Sequence, residues 1–292
     1  MFKFAFFGTD KFSIQVLETL KEQSYLPTLI ITVPDQPKGR KLILTPPQVK
    51  TWAEENNIPY LQPIKLKSLL DQTSAKETLI PDSSSFDFFL VASYGKIIPQ
   101  EILDLPKIGT LNIHPSLLPK YRGATPLEST IVAGDKKTGV TIIVLDELMD
   151  HGPILAQKEI SLANWDPFYE ELRDKLAIEG ANLLIEYLPS WLTAKIKPGK
   201  QKDSLATFTK KITKEDGLIN FDDSDEINFR KIRAYTPWPG AYFFIKRAEK
   251  DFRVIIKKAH LANGELNIDQ VLPEGKKEIS WNNFKKDYLE KK

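Results

Sequence analysis

The chain has 292 residues, a formal net charge of +2 and 41% hydrophobic residues, a balance that excludes a disordered polymer and predicts a buried core. At roughly 100–200 residues per domain, the length predicts two domains. There is no cysteine, so disulfides and thiolate metal sites are excluded and a reducing cytoplasm is expected, while no apolar run nears the roughly 20 residues that cross a bilayer.

Phe4–Phe7 is an apolar run closed by Gly8 and interrupted at Asp10 and Lys11. It reads as a buried first strand and not as a signal peptide. Helical spacing of Phe12, Val16, Leu17 and Leu20 follows, then a second short apolar run, Leu29–Val33. Strand, glycine turn, helix and strand make a βαβ unit and predict a parallel sheet. The turn lacks GxGxxG, so no dinucleotide site is expected.

Residues 33–48, VPDQPKGRKLILTPPQ, hold four prolines and three basic residues. Proline and glycine argue for a long loop here, and long loops inside compact domains are often functional. Lys38, Arg40 and Lys41 make it an exposed cationic arm suited to phosphates. Helices are predicted over 49–56 and 66–80, with strands at 60–61, 86–91 and 108–113. Residues 92–99 form a turn near the sheet edge. A helix over 124–132, strands over 139–145 and 154–161 and a long amphipathic helix over 168–191 complete the first part.

The lysine-rich segment 192–205 reads as a linker. Beyond it, short apolar runs separated by Asn-Gly, Pro-Gly and charged turns predict a small β-barrel or sandwich. The expected division is therefore a catalytic domain at 1–191, a linker at 192–205 and a β-rich domain at 206–292. Residues 204–292 carry 18 Lys or Arg against 14 Asp or Glu, compatible with a phosphate-bearing partner.

The chemistry concentrates in residues 110–123, TLNIHPSLLPKYRG. Residues i and i+2 of a strand share a face, so Asn112 and His114 project together at the strand's end, where open α/β sheets bind ligands. Asp150 follows the next apolar strand. It is preferred to Asp146 because Gly152 and Pro153 allow a sharp turn after it. Two adjacent parallel strands would bring His114 and Asp150 into one crevice. The carboxylate would orient the imidazole, and His114 and Asn112 would stabilise oxyanion charge. Ser116 reads as a loop serine bonding backbone or ligand, His151 as an ordinary loop histidine and His260 as structural or exposed. No HExxH, GxSxG or Walker motif is present, and no metal is expected.

LNIHPSLLPKYRGATPLEST together with GVTIIVLDELMDHGPIL resembles the folate-dependent formyltransferases. That resemblance implies a Rossmann-type parallel-sheet domain and a catalytic set of Asn112, His114 and Asp150. It also implies 10-formyltetrahydrofolate as co-substrate, held by Phe89, Val91 and Tyr94 and by the loop Ser116, Leu117, Leu118 and Pro119. FFGTDKFS is similar to the family's opening motif, with Asp10 where proline is usual; Leu148 stands where glycine is usual. The basic loop and the C-terminal segments TFTKKITKEDGLINF, IRAYTPWPGAYFF and QVLPEGKKEISW resemble the members that formylate initiator methionyl-tRNA. They imply an OB-like barrel and tRNA contacts by Lys38, Arg40, Lys41, Lys210 and Lys211, in a cytoplasmic monomer without membrane attachment. The motif alone also permits an amino-sugar nucleotide as acceptor, against which the basic loop and barrel argue. An idle RNA-binding protein, or a hydrolase releasing formate, would leave either the Asn–His–Asp set or the tRNA-directed segments without a use.

Overall fold

The computed structural model describes residues 2–39, 42–70, 85–247 and 250–290. The chain forms two compact units. The first comprises Met1–Ala124, Thr138–Ile160 and Arg173–Phe208; the second comprises Thr125–Lys137, Ser161–Leu172 and Thr209–Lys292.

In the first unit, β1 (Phe4–Gly8) leads into α1 (Lys11–Glu22) and then β2 (Leu29–Ile31). Asp10 caps α1 by accepting hydrogen bonds from the amides of Phe12 and Ser13 at 3.0 and 3.3 Å. The small ribbon β3 (Gln36–Lys38) and β4 (Ile43–Thr45) follows, then α2 (Gln48–Glu55), β5 (Tyr60–Leu61), β6 (Phe88–Ala92), α3 (Gln100–Leu103) and β7 (Gly109–His114). The predicted loop at 33–48 is thus partly an antiparallel pair. Of the helix expected over 66–80, Leu66–Leu70 is a 3-10 turn and the rest lies outside the described residues. After residue 137 the unit continues with β8 (Lys137–Val144), β9 (Ile154–Ser161) and the long helix Tyr169–Leu192.

The seven strands lie in the order β5-β2-β1-β6-β7-β8-β9. The pairs from β5 to β7 are parallel. β1 and β6 are buried along their whole length, which explains their unbroken apolar runs: a parallel strand covered on both faces has no polar side to alternate. Phe89 and Val91 belong to a cluster with Phe7, Ile31, Tyr94 and Ile102. Phe88 points to the other face and meets Trp191 edge-on, with centroids 6.0 Å apart. Phe89 is fully enclosed between Phe7 and Phe86. Phe89→Ala is therefore expected to destabilise the first unit by about 3–5 kcal/mol, read as a lower urea midpoint.

One expectation is corrected. β7 and β8 are antiparallel, pairing Leu111 with Val144 and His114 with Thr141. The end of β8 is thus level with the start of β7. An apolar run such as TIIV reads alike in either direction, so the hydrophobic pattern carried no sign of the reversal.

The second unit contains the helices Pro126–Ala133, Asp225–Ala234 and Trp281–Phe284. Pro126 begins the first of them, where its missing N–H removes no helical bond. Four antiparallel strands follow, β10 (Tyr242–Arg247), β11 (Lys250–Ala262), β12 (Glu265–Pro273) and β13 (Ile279–Ser280). The barrel predicted from the short apolar runs is realised as this sheet, with an isolated parallel bridge between Leu218 and Tyr242. Its core gathers Ile232, Phe243, Val254, Ile256, Val271 and Phe284.

Candidate active site

β7 ends in Asn112 and His114, both buried and both on the face that carries Val91, since Val91 and Asn112 are paired across the parallel strands. The loop between β8 and β9 reaches this face from the antiparallel side. Val144 N–H donates to the Pro153 carbonyl at 2.9 Å and closes the loop at its base. The turn then brings Asp150 to the end of β7. Its Oδ1 lies 3.4 Å from Asn112 Nδ2 and 3.6 Å from His114 Nδ1. Its Oδ2 accepts the Gly123 N–H at 2.7 Å. The three residues singled out from sequence therefore converge, although by another route than parallel strand ends.

The imidazole has a defined orientation. His114 Nε2 lies 2.9 Å from the Tyr121 carbonyl, an oxygen that can only accept, so Nε2 carries the hydrogen. Nδ1 is then the nitrogen that gains or releases a proton, and it faces Asp150. This places a titratable nitrogen, an amide donor and a carboxylate around one point, the set needed to stabilise an oxyanion and move a proton. Asp150 itself has φ 49°, a left-handed backbone that Asp tolerates better than most residues.

The predicted folate residues are placed unevenly. Phe89 has no exposed surface; it shares the face of Val91 but lies nearer the start of β6, packed against Phe7 and Phe86. Val91 and Tyr94 are buried at the end of β6. Among the described residues the Tyr94 hydroxyl has no hydrogen-bond partner, and burial pushes its pKa up to about 12. Ser116 Oγ donates to the Lys120 carbonyl at 2.6 Å. Leu118 N–H donates to Thr141 Oγ1 at 3.1 Å. The half-buried Leu117 and Pro119 remain as the accessible part of that loop.

Asp10, where the family's opening motif has proline, also accepts a bond from Ser93 Oγ at 2.6 Å and so joins the start of α1 to the turn after β6. Lys38 ends β3; Arg40 and Lys41 lie outside the described residues. The root of that ribbon is held by Asp35, whose carboxyl is lowered from the usual range by hydrogen bonds from Gln62 and Lys50. Lys210 and Lys211 are exposed in the second unit. Sequence reasoning missed Tyr121 and Gly123, the backbone partners of His114 and Asp150, because main-chain groups carry no residue signature. Among the described residues no three His, Asp or Glu side chains group as metal ligands would, and no helix is long and apolar enough to cross a membrane.

A family model described as formyl transferase matches residues 2–188, and one described as formyl transferase, C-terminal domain, matches 211–265. The methionyl-tRNA formyltransferase of Bacillus velezensis is 41% identical over 242 residues, covering 83% of this chain and 74% of that protein. That of Bacillus licheniformis is 35% identical over 305 residues, covering 97% and 94%. A solved methionyl-tRNA formyltransferase from Clostridium thermocellum shares the fold at TM-score 0.58 and 19% identity, covering 94% of this chain and 99% of that one. The chain belongs to the formyl transferase family and, within it, to the methionyl-tRNA formyltransferases.

Proposed function

We propose that the chain transfers the formyl group of 10-formyltetrahydrofolate to the α-amine of initiator methionyl-tRNA, with Asn112, His114 and Asp150 as catalytic residues. The observation that carries this reading is the approach of one carboxylate oxygen to both Asn112 and His114. The amine nitrogen bonds to the formyl carbon, and Asn112 Nδ2 and protonated His114 Nδ1 donate to the oxygen that becomes negative. Asp150 accepts the amine's proton, directly or through water; as the oxyanion collapses and the bond from the formyl carbon to the folate nitrogen breaks, that proton passes to the folate nitrogen. The Tyr94 hydroxyl, without a partner among the described residues, fits a folate donor, since such a buried phenol leaves one hydrogen bond for a polar ligand.

The acceptor stem would be gripped by Lys38, Arg40 and Lys41, with Lys210 and Lys211 of the C-terminal domain, in a cytoplasmic monomer. The expected division of labour is catalysis in 1–191, a linker at 192–205 and RNA contact in 206–292. Transfer of labelled formyl to initiator and elongator methionyl-tRNA tests the reading: the initiator is expected to be preferred. If these five cations meet phosphates, kcat/KM should fall with salt at a log–log slope of roughly −4. Equal transfer to both tRNAs with a slope near zero would remove the RNA part of the proposal.

A further inference from the structure

The segment predicted as a plain linker is bonded into the candidate active site. Gly199 and Ile154 exchange two backbone hydrogen bonds, at 2.7 and 2.8 Å. Gln201 Nε2 donates to the carbonyls of Asp150 and Gly152, each at 2.8 Å. Thr207 accepts the Tyr121 N–H on its hydroxyl at 2.8 Å and the Arg122 N–H on its carbonyl at 2.8 Å. The Arg122 side chain is buried and donates through Nε and one terminal nitrogen to Gln201 Oε1, at 3.1 and 2.8 Å, and from the same terminal nitrogen to Asp203 at 2.7 Å.

We propose that Gln201 and Arg122 are positioning residues for formyl transfer, fixing Asp150 against His114 through residues 199–208. Three consecutive residues do this together. The Tyr121 carbonyl holds His114, the Gly123 amide holds the Asp150 carboxylate, and Arg122 between them holds the amide that grips the Asp150 backbone. Both hydrogens of the Gln201 amide are used on the two carbonyls that flank His151, and its oxygen is used by the guanidinium, so neither Glu nor Leu can replace it. The left-handed backbone at Asp150 needs such an external hold. The catalytic separations of 3.4 and 3.6 Å sit at the edge of bonding, so a displacement below 1 Å decides whether the three groups act together.

This inference rests on the catalytic assignment above. The test therefore runs wild type, His114→Ala and Gln201→Leu in parallel on the full chain. Gln201→Leu is expected to lower kcat by roughly 10–100-fold, with KM for donor and acceptor within about twofold of wild type. Nitrogen-15 imidazole spectra, with only three histidines to resolve, should show the His114 signals moved and those of exposed His260 unchanged. A pH profile of kcat displaced from wild type would accompany this, which general loosening of the fold does not produce. Unchanged kcat per folded molecule, or unmoved His114 signals, overturns the positioning role. An active His114→Ala instead overturns the catalytic assignment. If Gln201→Leu does not fold, Gln201→Glu, which keeps an acceptor for Arg122 and loses both donors to the Asp150 and Gly152 carbonyls, gives the same readings.

Discussion

Asp150→Asn is expected to lower kcat for formyl transfer by about 10²–10⁴-fold, the range for losing a general base. The substitution keeps the size of the side chain, and its remaining oxygen can still accept the Gly123 N–H now made to Oδ2 at 2.7 Å. What it removes is the negative charge facing His114 Nδ1 across 3.6 Å and the acceptor for a proton. Binding of either substrate should change little, because the carboxylate is only slightly exposed and its protein contacts are otherwise retained. Single-turnover formylation of methionyl-tRNA separates these effects. A rate within about twofold of wild type would remove Asp150 from the chemistry.

Gly152→Ala is expected to damage stability and activity together. A Cβ at residue 152 would stand 1.8 Å from the Val144 carbonyl oxygen and 2.9 Å from its carbon. Those are main-chain atoms of β8, which cannot turn aside as a side chain can. Overpacking costs about 1–3 kcal/mol in most cores, and a main-chain obstacle puts this substitution at the upper end. The relief available is to open the turn at the Val144–Pro153 bond, which carries Asp150 away from His114. Urea unfolding and single-turnover formylation on one preparation measure both effects. A stable, fully active Gly152→Ala protein would show that the turn can shift without moving Asp150.

How far the sequence could be read follows from what each residue does. Asn112 and His114 were legible because a spacing of two on a strand fixes a shared face. Asp150 was legible because a carboxylate before Gly-Pro marks a tight turn, and its family resemblance pointed the same way. β1 and β6 were legible as continuous apolar runs, but that same continuity hid how deep along β6 each residue is packed. Phe89, on the same face as Val91, is fully buried against Phe7 and Phe86. The direction of β8 was hidden because an apolar run has no polarity along the chain. Gln201 was invisible for the opposite reason, a polar residue among polar neighbours whose partners lie 49 and 51 positions away.

The second unit is assembled from three separate stretches of backbone. Phe229 of its helix Asp225–Ala234 meets Phe168 edge-on at 6.2 Å, and Arg233 on that helix donates to the Pro167 carbonyl at 3.1 Å. A protease nick in 199–208 would consequently yield a C-terminal peptide stripped of these earlier partners. Such a peptide would expose the Phe229 ring and an unneutralised guanidinium, and would be prone to self-association. The unit travels with the polypeptide that precedes it and cannot be exchanged as a cassette by one crossover.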